Sequence, residues 1–478
     1  MKSNGKAYVF PEKKTILKEI KDAFLDADIG SERFFRFEFD IRQHDNIDIL
    51  SWLNAQKNFV KIYFSDRNKN EYAGTGVGDI INYMPYPPKY YGTGSDKDTM
   101  LENAIKTIAD RIGLSDKKPR YYGGHAFDLN DSMDSVWNGM GNILFIAPLL
   151  ELTGNSNGKT LAVNFYYNPE KGISKSQIYE KIEEEISNLD KSEDVCSSGD
   201  FLLKKRLDVP EKEKWIRNLN NVKATFQIES ISKIVLARKS IFKINNIIDP
   251  FIIFNFLKKQ NIKTYDFYFQ TGESYAFFGC SPELLFHRER NKLVSDAIAG
   301  TIPKGKNKKE EKSYADELMS SKKDSEEFGF VFNDIKKELK EICKSITIAR
   351  EKEILSLSYA QHIRSQFECV LKDDISDYRI LKSLHPTPAV GGYPFRNIHK
   401  LIKRYENFYR GFYSGPIGWI SRDESCFSVA IRSGILDRRS LSVFAGAGIV
   451  KKSLPEMEWD EIENKITPFL KLFNKKIK

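Results

Sequence analysis

The sequence predicts an α+β fold with mixed sheets, and three observations lead to that class. Short strand-like segments joined by Gly and Pro turns become dense after Asn220. Helical segments are few and long, with apolar residues recurring at spacings of three and four. Of the 478 residues, 41% are hydrophobic and 13% aromatic. That content excludes a mainly disordered chain and suits one large domain or two intimately packed ones.

The chain is predicted to consist of two halves packed as one integrated domain, a scaffold half over residues 1–219 and a catalytic half over residues 220–478. No internal repeat or low-complexity linker marks the boundary, so the division rests on a change of character near Asn220. After that point, polar residues are inserted at unusual places within apolar strands.

In the scaffold half, residues 34–39 and 161–167 have the pattern of strands. Residues 173–189 are predicted to form a helix, because isoleucines recur along one stripe. The pair Gly123 and Gly124 predicts a tight turn.

In the catalytic half, residues 231–239 are apolar on both faces apart from Lys233 and Arg238, as expected of a central, doubly covered strand. A lysine in such a strand needs a functional reason. The next predicted strands would form a meander and are residues 265–270, 275–280, 284–288 and 292–299. A helix with Phe328 and Val331 on its buried face follows, and then an alternating strand over residues 362–371.

The final helix is predicted to begin at a capping box formed by Ser453 and Glu456 around the intervening proline. Glu458, Glu461 and Lys465 are three and four residues apart, so they project from one face of this helix. That face is either a solvated surface with one ion pair or one wall of a site.

Carboxylates at the buried borders of two helices predict a cation site. Glu327 lies beside the buried face of its helix, and Glu458 and Glu461 lie on the final helix. A hard divalent cation such as Mg²⁺ takes oxygen ligands of this kind, keeps several waters and binds an anionic substrate. The alternative is that Glu326 and Glu327 only complement the dipole at the start of their helix.

Lys233 and Glu283 are candidates for a base and an acid. Burial disfavours the charged form of each, so a desolvated lysine can accept a proton and a desolvated glutamic acid can donate one. The alternative for Glu283 is a turn carboxylate that caps a loop. The glycines in residues 444–448 favour close approach of an anion or a tight turn. Nucleotide cofactors are unsupported, because neither a phosphate-binding loop nor a Rossmann fingerprint is present.

The composition also bears on location and partners. No run of about 18 apolar residues exists and residues 1–14 lack a signal-peptide pattern, so we expect a soluble, cytoplasmic protein with no membrane partner. The net charge of +9 is spread along the chain, which suits an anionic small substrate at least as well as nucleic acid. Scattered cysteines without a C-x-x-C pair predict reduced thiols, and they are Cys196, Cys280, Cys343, Cys369 and Cys426.

An ordered series of motifs resembles the chorismate-utilising enzymes and, within them, the isochorismate synthases. The series covers about half of the chain. It comprises KIVLAR (233–238), SPELLF (281–286), AIAGT (297–301), KDSEE (323–327), QHI (361–363), LHPTPAVGGYP (384–394), RGFYSGPIGW (410–419), AIRSG (430–434), AGAGIV (445–450) and PEMEWDEIENK (455–465).

The resemblance implies a single large domain of two mixed sheets flanked by helices, with Mg²⁺ and chorismate in a cleft, and a monomer that binds no nucleic acid. By position in the motifs, Lys233 matches the base that activates water for attack at C2, and Glu283 the acid that protonates the departing C4 hydroxyl. Glu327 and Glu461 match the Mg²⁺ ligands, with Glu458 binding through water or supporting them.

The remaining matches concern the substrate. Gly300, Thr301 and His362 match positions that line the ring carboxylate and the C4 hydroxyl. The pocket for the enolpyruvyl carboxylate is matched by Tyr413, Arg432, the backbone of Gly446 and Gly448, and Lys465.

Two positions favour water over ammonia as the nucleophile. The resembling ammonia-using enzymes carry Gln at the position of Lys233, and aminodeoxychorismate synthases use a nucleophilic Lys at the position of Ala299. Two departures from the family pattern are Phe328, where His commonly follows the metal-binding Glu, and Lys304, where Arg is usual. A salicylate synthase, which also eliminates pyruvate, an inactive or nucleic-acid-binding relative, and both the menaquinone and siderophore pathways stay open as alternatives.

Overall fold

The computed structural model describes residues 12–41, 47–84, 96–129, 133–156, 158–189, 202–226 and 231–473. The strands are β1 (Arg33–Asp40), β2 (Lys61–Ser65), β3 (Glu71–Thr75), β4 (Asp79–Tyr83), β5 (Tyr121–His125), β6 (Ile143–Ala147), β7 (Leu150–Asn155), β8 (Gly158–Tyr167), β9 (Leu203–Val209), β10 (Lys233–Ile244), β11 (Tyr265–Gly272), β12 (Tyr275–Ser281), β13 (Leu284–Glu289), β14 (Lys292–Pro303), β15 (Cys343–Ser356), β16 (Ala360–Leu371), β17 (Gly392–Tyr393), β18 (Pro416–Ile420), β19 (Glu424–Val429), β20 (Ser433–Asp437) and β21 (Ser440–Ile449). The α-helices are α1 (Lys13–Ile20), α2 (Ile49–Ala55), α3 (Asp96–Gly113), α4 (Lys175–Ser187), α5 (Lys212–Thr225), α6 (Pro250–Gln260), α7 (Lys308–Ser320), α8 (Lys322–Ile342), α9 (Asp377–Leu384), α10 (Phe395–Glu406) and α11 (Pro455–Leu470).

Two sheets organise the chain, and each takes strands from both sides of residue 220. The larger sheet has the order β1-β8-β7-β3-β2-β11-β12-β20-β21-β10-β17, with β9 also paired to β10. The second sheet has the order β15-β16-β14-β13-β19-β18-β5-β6-β4. Helix α5 spans residues 219 and 220, and the division into 1–219 and 220–478 stays a prediction.

The α+β class is confirmed, but the expectation of mixed sheets is wrong. Every strand ladder in the described part of the chain is antiparallel. Neighbours such as β11 and β12, or β20 and β21, are joined by short turns that only antiparallel strands can use, because parallel strands need a long crossover.

The predicted four-strand meander is divided between the two sheets. Strands β11 and β12 pair in the larger sheet, whereas β13 and β14 pair in the second. The chain therefore passes from one sheet to the other at Pro282 and Glu283. This crossing places Glu283 between the sheets instead of on a hairpin.

Side chains from facing strands of the two sheets pack into an aromatic cluster. Phe267 and Phe277 belong to the larger sheet, and Leu144 and Trp419 to the second, and all four are buried. Since burial of a large apolar side chain contributes about 1.5–3 kcal/mol, this cluster holds the two sheets together.

Several predicted elements are confirmed. Residues 34–39 and 161–167 lie within β1 and β8, and residues 362–371 lie within β16. The helix predicted over residues 173–189 is α4, where Ser174 and Gln177 form a capping box. The strand predicted from residue 231 begins at Lys233 as β10 and is paired along both edges.

The turn predicted at Gly123 and Gly124 is wrong, and so is the turn alternative for residues 444–448. Gly123 and Gly124 lie inside β5, where an added Cβ would come within 1.8 Å of the Leu144 carbonyl oxygen and 1.9 Å of the Pro416 carbonyl oxygen. Residues 444–448 likewise continue β21. In both cases glycine permits close approach of a neighbour. In a sequence, a glycine that serves close packing cannot be distinguished from a glycine that forms a turn.

The capping box predicted for the final helix is also wrong. The N-cap of α11 is Leu454, and no side chain caps it. The Ser453 hydroxyl instead accepts a hydrogen bond from the Val450 N–H at 3.1 Å. Ser453 is therefore used to close the turn after β21.

Cys280, Cys343, Cys369 and Cys426 are buried free thiols, as predicted, and Cys196 lies outside the described residues. Among the described residues, no helix has the length and apolar character needed to cross a membrane.

Candidate active site

A cleft of about 670 Å³ is lined by β10 and β21 of the larger sheet, β14 and β16 of the second sheet, and helices α7, α8 and α11. The structure brings all the predicted site residues to this cleft. They are Lys233, Glu283, Gly300, Thr301, Glu327, His362, Tyr413, Arg432, Gly446, Gly448, Glu458, Glu461 and Lys465.

Lys233 is the first residue of β10, and its side chain is only 1% exposed. Its ammonium lies 2.9 Å from the Glu327 carboxylate on α8. Gly448 on β21 makes room for this pair, since a Cβ there would lie 2.6 Å from Glu327 Oε1 and 2.9 Å from Lys233 Cε. The glycine thus allows two charged side chains to meet against a strand.

Glu283 lies where the chain crosses between the sheets, and it is buried. Burial raises the pKa of its carboxyl to about 7, against the lowering effects of the Thr387 hydroxyl and the Lys233 ammonium. Thr387 Oγ1 donates to Glu283 Oε1 at 3.3 Å. Near neutral pH this carboxyl can therefore release or hold a proton.

Three glutamates on two helices face the cleft, and each is paired with a lysine. Beside the pair of Glu327 already described, Lys323 Nζ donates to Glu458 Oε1 at 3.1 Å. On α11, Lys465 Nζ donates to Glu461 Oε1 at 2.5 Å and to the Gly446 carbonyl at 2.9 Å. The lysines balance the negative charge that α8 and α11 bring together.

Burial and the nearby charges shift the pKa values of two of these glutamates. Burial and the negative charge of Glu461 raise the pKa of Glu458, with Lys323 opposing them. Burial also acts to raise the pKa of Glu461, but Lys465 and other cations outweigh it and lower that pKa. No group of three or more His, Cys, Asp or Glu in the described ranges forms a ready metal site. Mg²⁺ needs few direct protein ligands, however, so the carboxylate oxygens on this wall fit it.

His362, Gly300 and Thr301 form a neutral polar corner of the cleft. Burial lowers the pKa of His362 to about 3, and the nearby Arg432 charge adds to the effect. Its Nδ1 lies 3.0 Å from the Gly300 carbonyl oxygen and 3.2 Å from Thr301 Oγ1. The neutral ring therefore donates through Nδ1 to that carbonyl, and Nε2 is left as an acceptor.

The cleft also carries positive charge and a phenol. The ring of Tyr413 stacks on Phe444 with centroids 5.2 Å apart, and burial raises its pKa to about 12, so it is a hydroxyl donor. Burial lowers the pKa of Arg432 from its ordinary value, with Glu461 and Tyr413 acting against that shift. Arg432, Lys465 and the Tyr413 hydroxyl can together receive a carboxylate.

Comparison with known proteins decides the family. A sequence profile described as "Chorismate binding enzyme" matches residues 19–474. The chain belongs to the chorismate-binding enzyme family. Isochorismate synthase 2, chloroplastic, of Arabidopsis thaliana is 32% identical to it over 462 residues, which cover 92% of this chain and 81% of the relative. Isochorismate synthase MenF of Escherichia coli is 28% identical over 421 residues, covering 88% of this chain and 89% of the relative.

Solved structures confirm the fold of this chorismate-binding enzyme. The menaquinone-specific isochorismate synthase MenF of E. coli superposes with a TM-score of 0.80 at 24% identity, covering 96% of this chain and 99% of that one. Anthranilate synthase component I of Streptococcus pneumoniae superposes with a TM-score of 0.62 at 18% identity, covering 97% and 94%.

Sequence reasoning missed three residues that contact the site of this chorismate-binding enzyme. Thr387 and Lys323 lie within the recognised motifs, so their polar side chains could have been assigned as partners for the nearby carboxyl groups. Arg67 lies far from every motif, and its guanidinium donates to the Pro282 carbonyl beside Glu283. No feature of the sequence signals that contact.

Proposed function

We propose that this chain is an isochorismate synthase, an isomerase that converts chorismate to isochorismate with Mg²⁺. The observation that carries the proposal is one cleft with a buried lysine and a buried carboxyl whose pKa is raised to about 7, Lys233 and Glu283. Addition of water with loss of a hydroxyl needs one group that takes a proton and one that gives a proton. Relatives that match about nine tenths of the chain carry the name isochorismate synthase, which supports the same reaction.

The role proposed for Lys233 is that of the general base. The lysine takes a proton from water while the water oxygen forms a bond to C2 of the ring. The ring double bonds shift, and the bond between C4 and its hydroxyl breaks. Because Gln cannot accept this proton, the lysine also accounts for the choice of water over ammonia.

The role proposed for Glu283 is that of the general acid. Its protonated carboxyl gives a proton to the C4 hydroxyl, which leaves as water. One water enters and one leaves, so the product is an isomer of the substrate. The raised pKa matters here, since an ordinary glutamate would be ionised at neutral pH and could not donate.

Binding of the two carboxylates of chorismate is proposed to orient the ring between these groups. Arg432, Lys465 and Tyr413, with the backbone of Gly446 and Gly448, would hold the enolpyruvyl carboxylate. The corner of Gly300, Thr301 and His362 would line the ring carboxylate and the C4 hydroxyl. The neutral imidazole of His362 has an Nε2 atom with no hydrogen-bond partner among the described residues, and this atom can accept a hydrogen bond from the C4 hydroxyl. The ring carries no positive charge that would attract a carboxylate.

Mg²⁺ is proposed to be held by Glu327 and Glu461, with Glu458 binding through water or supporting them. When bound, the ion supplies positive charge for the ring carboxylate and for charge that develops at the departing hydroxyl. Lys323 and Lys465, which pair with Glu458 and Glu461, provide part of that charge balance themselves.

The product assay tests this proposal. Purified protein is incubated with chorismate and Mg²⁺, and isochorismate, salicylate and pyruvate are quantified by chromatography at long times. We expect a stable mixture of chorismate and isochorismate without pyruvate. Stoichiometric salicylate and pyruvate would show a salicylate synthase, and anthranilate formed only with added ammonia would also overturn the role of Lys233.

Other features are proposed on the sequence alone. A cytoplasmic monomer that binds neither membranes nor nucleic acid stays a prediction, which gel filtration and salt-dependent DNA binding would check. The genes that neighbour this one would show whether isochorismate is used for menaquinone or for a siderophore.

A further inference from the structure

Hydrogen bonds from Ser281, Val429 and Arg67 hold the segment that crosses between the two sheets. Ser281 Oγ donates to the Val429 carbonyl at 2.6 Å and accepts from the Glu283 N–H at 3.2 Å. The Val429 N–H in turn donates to the Glu283 carbonyl at 3.1 Å. Pro282 has no N–H, so its carbonyl is the one backbone group that it can offer. That carbonyl accepts from the guanidinium of Arg67.

Arg67 reaches this carbonyl from a distant part of the chain. It lies in the turn between β2 and β3, where Asp66 accepts from the Asn68 N–H at 2.8 Å and the Asn70 N–H at 3.0 Å. These bonds fix the turn. The Arg67 guanidinium lies over the Tyr265 ring, 5.0 Å from the ring centroid. The Arg67 side chain is only 12% exposed. Its orientation is therefore determined by the turn, the ring and the carbonyl together.

The same guanidinium holds a buried carboxylate near the acid. Arg67 Nη1 lies 2.5 Å from Asp296 Oδ2 on β14, and Asp296 Oδ1 also accepts from Arg364 at 3.2 Å and Gln366 at 3.1 Å. Arg67 thus joins the residue that precedes Glu283 to the second sheet. Loss of its side chain would leave a buried carbonyl without this donor and weaken the balance of a buried charge.

We propose that Arg67 is a positioning residue for the general acid: it fixes the Pro282–Glu283 crossing and, with Asp296, sets the electrostatic environment of the Glu283 carboxyl. This role rests on the proposed function of Glu283. The charged groups that act on Glu283 are Lys233 and Arg67, which lower the pKa of its carboxyl, and Asp296, which raises it. Thr387 adds its hydroxyl and also lowers that pKa.

Substitutions of Arg67 and Asp296 should shift the pKa of the Glu283 carboxyl in opposite directions. Arg67→Met removes a cation and leaves Asp296 less compensated, and both changes favour the protonated form of Glu283. Asp296→Asn removes an anion and favours the ionised form. The Glu283 carboxyl should therefore titrate at higher pH in Arg67→Met and at lower pH in Asp296→Asn, each by about half a unit or more, and the limb of the kcat profile that follows this carboxyl should move in the same direction. A purely structural arginine would lower the stability without moving the limb.

Arg67→Lys separates charge from geometry and is the milder variant. Lysine keeps the positive charge but cannot bond Pro282 and Asp296 with one planar fork. We expect the limb that follows Glu283 to stay near the wild-type position while kcat falls about tenfold or more, with KM for chorismate little changed, because a misplaced acid slows the chemical step.

The test measures pH profiles of kcat for wild type and the three variants, and titrates the Glu283 carboxyl without substrate by infrared difference spectra against Glu283→Gln. Opposite shifts in Arg67→Met and Asp296→Asn support the proposal. Limbs and carboxyl titrations that coincide in all four proteins would overturn it, as would a wild-type kcat in Arg67→Lys. Should the wild type not convert chorismate, the proposed function fails, whereas the infrared titration still decides whether Arg67 acts on Glu283.

Discussion

Replacing Glu283 by Gln should lower turnover strongly and at the same time stabilise the protein at alkaline pH. The carboxyl is buried, and its pKa is raised from 4.5 to about 7. Unfolding restores the lower value, so between these two pH values the folded state holds a proton that the unfolded state has released. The stability that the protonated carboxyl contributes is complete below pH 4.5 and is lost as pH rises to about 7.

The size of this stabilisation follows from the shift in the pKa of the Glu283 carboxyl. A rise from 4.5 to about 7 corresponds to about 3 kcal/mol at 1.36 kcal/mol per unit, an upper limit for the cost of burying the ionised form. Gln has almost the same volume and carries no charge. At pH 8 the variant should therefore be more stable than the wild type by up to about 3 kcal/mol, and the difference should shrink toward acidic pH.

The assay is urea unfolding at pH 5 and pH 8, with chorismate turnover and chorismate binding measured on the same samples. We expect turnover to fall about 100-fold or more, because Gln cannot give a proton to the leaving hydroxyl, while chorismate still binds. A variant no more stable than wild type at pH 8 would refute the account of the buried carboxyl. Loss of chorismate binding would make Glu283 a binding residue instead.

Three further predictions concern the lysine, the candidate metal ligands and the glycines of the cleft. Lys233→Ala should fold yet lose about 100-fold or more in kcat, and wild-type turnover would remove it from the mechanism. EDTA should abolish activity and Mg²⁺ restore it, with Glu327→Ala raising the Mg²⁺ concentration for half-maximal rate and Glu326→Ala, on an exposed position of the same helix, nearly unchanged. Equal Mg²⁺ dependence in both variants would place the ion elsewhere. Gly448→Ala should disrupt the lysine–glutamate pair and lower kcat strongly, because its Cβ would lie 2.6 Å from Glu327 Oε1, whereas Gly446→Ala meets atoms only at 3.2 Å and should be milder. Similar kcat values for the two alanine variants would argue against a role for that close approach.

The residues that form the cleft could be predicted from the sequence because they are chemically out of place. Lys233 interrupts an otherwise apolar strand, and Glu461 lies next to the buried stripe of a helix. The ordered motifs then assigned each of them a role, and the structure brings all of them to one cleft.

The partners of these residues could not be predicted. Alternation of apolar residues indicates that a strand is half-buried, but it does not reveal which strand lies beside it. The strands on either side of Pro282 were therefore predicted to form one meander, and no sequence feature indicated that Arg67, from the turn between β2 and β3, reaches the Pro282 carbonyl. Glycine raised the same difficulty in β5 and β21, where the absent side chain admits a neighbouring strand or an ion pair.

The origin of the new hydroxyl tests the central claim most directly. A single turnover of chorismate and Mg²⁺ in H₂¹⁸O, followed by mass spectrometry of the isochorismate formed, shows whether solvent water or the departing hydroxyl is bonded to C2. Attack by water that Lys233 has deprotonated predicts one ¹⁸O atom in each product molecule, at C2, and at least a hundredfold slower labelling by Lys233→Ala, in line with the usual contribution of about 100-fold from a positioned base. Isochorismate without label would show that the hydroxyl migrates within the ring, and it would contradict the roles proposed for both Lys233 and Glu283.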